Sequence, residues 1–268
     1  MSGPAARPRA ALVVPVWNQW DYTRRFLESF EAGGGEGCRL LVVDNGSTDE
    51  TPRRLREWKK RLGFEVLRNR SNRGCAPAWN QGARRVLAWK PAWIGVLNND
   101  LVLTPGWLKA LLDRAEERGW WMASPATREG RLDYDLESYA RAYTRRCRSW
   151  DAPGYFGWCF LVRPEAFKVC GFFDETFRFG KGEDEDFARR LWAKGLPTGI
   201  TGCSFVHHFG SPTVNALKGR IGEGFERGNL DHLRRRWGRP PKDGPLPKAA
   251  RALRRLFQRL RWGHLLKE

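Results

Sequence analysis

The sequence predicts an α/β fold with a mostly parallel central sheet flanked by helices. Two observations carry that expectation. Short apolar runs alternate with segments whose apolar residues recur at helical spacing, and polar turns follow the apolar runs. At 268 residues and 41% apolar content, the chain is large enough to bury a sizeable core.

Ala10 to Val16 reads as the first strand, followed by a helix from Asp21 to Phe30 that lines up Tyr22, Phe26, Leu27 and Phe30. Arg39 to Val43 is a second strand. It ends in the turn Asp44-Asn45-Gly46-Ser47, after which Thr48 or Asp49 is expected to cap a helix through about Arg61 carrying Leu55, Trp58 and Leu62. Phe64 to Leu67 is a third strand and about Ala76 to Trp89 a third helix. Trp93 to Leu97 is a fourth strand, ending at Asn98-Asn99-Asp100. This strand-helix alternation through the first 120 residues predicts a doubly wound sheet with ligands outside the carboxyl ends of its strands, where both polar turns fall. Tyr155 to Arg163 reads as a buried strand, and Glu183 to Lys194 as a helix after Gly180-Lys181-Gly182.

Lysine and arginine total 48 against 30 acidic residues, a net charge of +18. Such a balance predicts attraction to nucleotides, nucleic acid or anionic lipid without choosing among them, and compositional bias explains it equally well. The last 51 residues, 218–268, hold fifteen Lys or Arg against five Asp or Glu. There Pro240, Pro241, Pro245 and Pro247 mark a linker, and Leu253, Leu256, Phe257 and Leu260 line one face of a helix whose other face is arginine-rich, which either packs on the domain with its basic face in solvent or lies on anionic lipid or a polyanionic acceptor. The expected organisation is a catalytic domain over 1–213, with a nucleotide-binding half at about 10–103 and an acceptor half at about 104–213, followed by a basic extension over 214–268. No apolar run reaches the roughly 18 residues of a spanning helix, and the first residues do not read as a signal peptide, so the cytoplasm is expected, peripheral on the inner face of the membrane through the extension. Six scattered cysteines with no Cys-x-x-Cys pair are read as reduced, mostly buried thiols.

Five blocks then occur in order: Val14-Pro15-Val16-Trp17-Asn18; Val42 to Asp49; Asn69 to Gly74 with Trp79-Asn80-Gln81-Gly82; Leu97-Asn98-Asn99-Asp100; and Gly182-Glu183-Asp184-Glu185-Asp186-Phe187. Together, over roughly residues 10 to 212, they resemble a family 2 glycosyltransferase of the GT-A fold. The resemblance implies an inverting transfer of sugar from a nucleotide-diphosphate donor with a divalent cation, Mn²⁺ or Mg²⁺. It implies that Asp44 contacts the donor base, that Pro15, Val16, Trp17 and Asn18 form the other wall, and that Asn45, Asn72, Gly74, Asn80 and Asn99 complete the nucleotide site.

Asp100 is the carboxylate kept from the family's Asp-x-Asp metal motif, because a diphosphate leaves well only when its charge is neutralised. Further ligands are expected from His207 or His208, the latter fitting better by its spacing to Gly210 and Ser211. In the acidic run, Glu185 and Asp186 have Arg189 and Arg190 four residues on and are expected to form surface ion pairs, whereas Glu183 and Asp184 have no such partner. At the helix start the macrodipole should favour ionised Asp184, as a general base requires, and the family's catalytic Asp aligns with this position, beside Glu183. The acceptor is expected to be a glycan or lipid-linked saccharide. Alternatives are a hydroxylated base of nucleic acid, or a non-catalytic polyanion-binding protein on the same fold. The aromatics Trp150, Tyr155, Phe156 and Trp158 lie in the part of the chain that faces acceptors in this family.

Overall fold

Strand β1 (Ala10–Val16) shows how this chain builds a core on both sides of a sheet. Ala10, Leu12, Val14 and Val16 pack on one face, and Ala11 and Val13 on the other. The structure, a computed structural model, describes residues 8–210, 219 and 224–238. Its parallel part runs β3 (Glu65–Arg68), β2 (Cys38–Asp44), β1 and β4 (Trp93–Leu97). Beyond β4 the sheet becomes mixed. β8 (Cys159–Val162) is antiparallel to β4 and to β6 (Met122–Glu129), β6 is parallel to β9 (Thr198–His208), and β5 (Leu101–Leu103) and β7 (Asp151–Pro153) pair antiparallel with β9.

Helices cover both faces. α1 (Trp20–Ser29), α2 (Thr51–Leu62) and α4 (Trp107–Glu117) bury Phe26, Leu27, Leu55, Trp107 and Leu111 on one side. α3 (Cys75–Leu87), α6 (Pro164–Cys170) and α7 (Glu183–Trp192) bury Trp79, Phe167, Phe187 and Leu191 on the other. α5 (Leu136–Arg146) lies over β9 through Tyr139 and Tyr143 against Phe205. α8 (Gly224–Trp237) docks beside α7, so a helix of the extension expected to begin at residue 214 is seated on the domain.

Several boundaries move for local reasons. α2 starts at Thr51, with Pro52 in its first turn, and Asp49 accepts from the Thr51 backbone N–H (2.9 Å) instead of capping the helix itself. The strand expected from Tyr155 shortens to β8 because Phe156 to Trp158 form a turn closed by the Cys159 N–H donating to Phe156 O. Among the cysteines only Cys159 is fully buried; the other five, also unbridged, are half-buried. The proline linker and the amphipathic helix expected around Leu253 lie outside the described residues. Among the described residues no helix is long and apolar enough to cross a membrane.

Candidate active site

The carboxyl ends of β1, β2 and β3 converge on one polar loop. Asp44 ends β2, buried, and its Oδ1 accepts from the Ser47 N–H at 2.9 Å while Arg68 Nε stands 3.5 Å from its Oδ2. Asn18 takes a left-handed conformation (φ 53°), and its Oδ1 accepts from the Thr48 and Asp49 backbone N–H groups. Asn45 is the hub: its Nδ2 donates to Asn72 Oδ1 and Gly74 O, and its Oδ1 accepts from Asn69 Nδ2 and the Arg73 N–H. All three groups of that amide are engaged with protein, so Asn45 shapes the loop. Gly74 (φ 91°) precedes α3, and a side chain there would crowd the Phe179 backbone.

A second convergence lies at the end of β4. Pairing of β5 with β9 sets Leu101 opposite His208, which brings the neighbouring Asp100 up to the imidazole. His208 Nε2 lies 3.1 Å from Asp100 Oδ2, yet neither ring nitrogen makes a hydrogen bond. The ring stacks on Trp158, with centroids 4.8 Å apart and planes 8° apart, and Trp158 stacks in turn on Phe156. Between those two aromatics is Gly157, and a Cβ there would overlap Asp184 Oδ2. A three-residue turn therefore holds the Asp184 carboxylate on one side and the Asp100–His208 pair on the other. One carboxylate oxygen and one imidazole nitrogen, buried and converging at 3.1 Å, fit a divalent cation such as Mn²⁺. Among the described residues no three His, Cys, Asp or Glu side chains gather at one point, so such an ion would complete its shell with donor oxygens and water.

His207, offered with His208 as a ligand, faces away. Strand alternation turns its ring to the opposite side of β9, where Nδ1 meets Tyr134 OH at 2.9 Å and the ring packs edge-on to Phe209. Burial holds its pKa down at about 4, so it stays neutral.

Glu183 and Asp184 open α7 behind Gly182, and neither is paired with a cation among the described residues. Glu183 is buried with Oε2 lacking any hydrogen bond, and burial, reinforced by the Asp184 charge, raises its pKa to about 8. Burial raises the Asp184 pKa as well, against the backbone N–H groups of Glu185, Asp184 and Gly182. The expectation that the helix start would dominate is thus corrected: desolvation outweighs it. Asp186 is also corrected, since its carboxylate is fully buried, 2.8 Å from a half-buried Arg190, and shared with Arg236 and Trp237 of α8. Glu185 with Arg189 at 2.6 Å forms as expected.

The family model for glycosyl transferase family 2 matches residues 11–171. The chain belongs to that family. A Mycobacterium bovis protein of uncharacterized activity is 29% identical over 255 residues, covering 92% of this chain and 93% of its own. An N-acetylglucosaminyl-diphospho-decaprenol L-rhamnosyltransferase of Mycobacterium tuberculosis is 27% identical over 237 residues, 74% of this chain and 75% of that one. Among solved structures, a mannosyltransferase of Pyrobaculum calidifontis in complex with GDP-Man and Mn²⁺ superposes with a TM-score of 0.63 at 18% identity, over 91% of this chain and 67% of that chain. The fold is GT-A, and the protein is a glycosyltransferase.

Within the transferase, two expected donor contacts are turned elsewhere. Asn80 is buried, donating to Phe173 O and Glu175 Oε1 and accepting from the Phe173 N–H, so it braces α3 against the following loop. Asn99 donates to Thr23 Oγ1 of α1. The half-exposed neighbour Asn98 went unassigned in the sequence, as did Gly157, whose role depends on a contact with a residue 27 positions on. Val16 keeps its side chain in the core and serves the loop through its carbonyl, which accepts from the Asn45 N–H at 2.8 Å. Pro15 and Trp17 flank it, half-buried.

Proposed function

We propose that this glycosyltransferase moves a sugar from a nucleoside-diphosphate donor to an acceptor hydroxyl in one inverting displacement, with Asp184 as general base. The observation carrying this reading is the turn Phe156-Gly157-Trp158, which Asp184 abuts at Gly157 and His208 at Trp158. Base and candidate metal ligands are thus both anchored on one three-residue turn, which keeps the groups serving the nucleophile and the leaving group in register with each other. The acceptor oxygen attacks the anomeric carbon and its proton passes to the Asp184 carboxylate. The bond from that carbon to the diphosphate oxygen breaks, and its electron pair departs with the diphosphate.

Asp100 and His208 would hold the divalent cation, which supplies charge neutralisation to the diphosphate. Asp44 and Asn72, with the Asn18 and Gly74 backbones and the Trp17 ring, form the loop that receives the nucleotide, braced internally by Asn45. For the acceptor we favour a lipid-linked saccharide, in line with the decaprenol-linked substrate named for the mycobacterial relative. The basic extension would then meet an anionic membrane surface.

The test is incubation with a panel of UDP-, GDP- and dTDP-sugars and Mn²⁺, reading nucleoside diphosphate release and the anomeric configuration of the product by proton NMR. Release from at least one donor with inversion is expected. Retention of configuration, or silence across the panel with lipid-linked and free acceptors, overturns the proposal.

A further inference from the structure

We infer that Asn229, on α8, is a positioning residue for the catalytic carboxylate, an inference that rests on the reading of Asp184 as the base. The segment leading into α7 has an unusual backbone: Phe179 (φ 60°), Gly180 (132°), Lys181 (68°) and Gly182 (109°) are four consecutive residues in left-handed territory. Two of them carry side chains, for which that conformation is disfavoured, so the segment keeps its path only where something outside it holds it.

Asn229 does so with its whole amide. It is 3% exposed; its Oδ1 accepts from the Arg178 N–H at 2.9 Å, and its Nδ2 donates to Arg178 O at 2.8 Å and to Gly180 O at 2.7 Å. Contacts on either side seat the helix that carries it. Phe225 meets Phe179 edge-on, Lys181 Nζ lies 2.7 Å from Glu226, His232 Nε2 stands 3.2 Å from Asp174 Oδ2, and Trp237 Nε1 donates to Asp186.

The held segment touches both halves of the site. Cys75 Sγ, just after Gly74 of the nucleotide loop, donates to Phe179 O at 3.2 Å, and the residues following Gly182 are Glu183 and Asp184 themselves. Freeing residues 178–180 therefore releases the start of α7 while leaving the Asn45–Asn72 bond and the Asp44–Ser47 bond of the nucleotide loop in place. A helix beyond the stretch matched to the family thus sets where the base stands.

The test compares wild type, Asn229→Ala, Asn229→Asp and Asp184→Asn in the full chain. Asp at 229 keeps the acceptor for the Arg178 N–H and loses both donors, giving a second variant if Asn229→Ala does not fold. Each variant is assayed for kcat, for donor affinity by calorimetry, and for iodoacetamide modification of Cys75 by peptide mass spectrometry, with the other five cysteines as internal reference. Expected are a fall in kcat of about 10²-fold, unchanged donor affinity, and selectively faster modification of Cys75. Wild-type kcat in a folded variant, or Cys75 no more reactive than in wild type, overturns the inference. Transfer persisting in Asp184→Asn would instead sink the assignment of the base, and the Cys75 rates would still decide whether Asn229 holds the segment.

Discussion

His208 Nε2 and Asp100 Oδ2 lie 3.1 Å apart, both residues are buried, and no hydrogen bond joins them. Burying an imidazole nitrogen that makes no hydrogen bond is costly unless another species satisfies it. A divalent cation, for which Asp100 and His208 would be the side-chain ligands, would do so. Asp100→Asn and His208→Ala should each lower transfer by about 10²-fold or more, the loss of several kcal/mol of leaving-group stabilisation. Mn²⁺ binding followed by electron paramagnetic resonance should weaken in both variants, and chelator should abolish donor binding. Full activity in excess chelator would refute the assignment.

Asp184 and Asp186 sit two residues apart in α7 and should fail in different ways. Asp184→Asn is expected to keep the fold and donor affinity and to lose transfer, since an amide cannot take the acceptor proton. Because burial raises the Asp184 pKa, the acid limb of kcat/KM should lie above the ordinary aspartate value of roughly 3.9, with the rate falling as pH drops through it. Asp186→Asn strips the charge from a buried carboxylate facing Arg190 and Arg236, so its cost should appear as lost stability, about 3 kcal/mol. Thermal melts beside kinetics separate the two, and the reverse pattern would exchange the roles.

The parts of the fold legible in the sequence share one property: their signal is local. β1 and β4 are legible to the residue because a continuous apolar run ends at a polar turn in each. β9 was not recognised, because Thr198 to His208 interleaves Thr, Gly, Cys and Ser in a strand buried on both sides, which leaves no alternation to read. β6 hides for a similar reason, with Ser124 and Pro125 in its middle at a register shift. The site followed the same rule. Helical spacing points to Arg190 as the partner of Asp186, but its other carboxylate oxygen is engaged by Arg236 and Trp237, some fifty residues on. For Asn80 and Asn99 a motif located the residue while the direction of the amide depended on Phe173 and Thr23, which no local pattern names.

Gly157 offers a direct probe of the turn between base and metal pair. A methyl group there meets the Asp184 carboxylate, which must swing away or push the Phe156-Trp158 turn aside. Gly157→Ala should therefore cut kcat by about 10²-fold and leave the nucleotide loop, and so donor affinity, intact. Unchanged turnover would show that Asp184 does not act from this position.

Glu183 makes a prediction about stability. Its carboxyl is buried, Oε2 has no hydrogen-bond partner, and its pKa is raised to about 8, first by burial and then by the charge of Asp184. Between the unfolded value of roughly 4.3 and that raised value, the folded chain keeps a proton that the unfolded chain has lost. The unfolded state then binds fewer protons, so the contribution of Glu183 to stability is fully present at low pH and declines as pH rises through the window. Glu183→Gln cannot ionise and removes that decline. Urea midpoints at pH 5, 7 and 9 should thus fall more steeply with pH in the wild type than in the variant. By pH 9 the gap between them should have moved in favour of Glu183→Gln by about 1 kcal/mol or more. Comparing slopes cancels the fixed cost of burying an amide, which is the same at every pH. Parallel curves would mean that Glu183 is already ionised at pH 5 in the folded protein, adding its charge to those of the other three acidic residues in the first turn of α7.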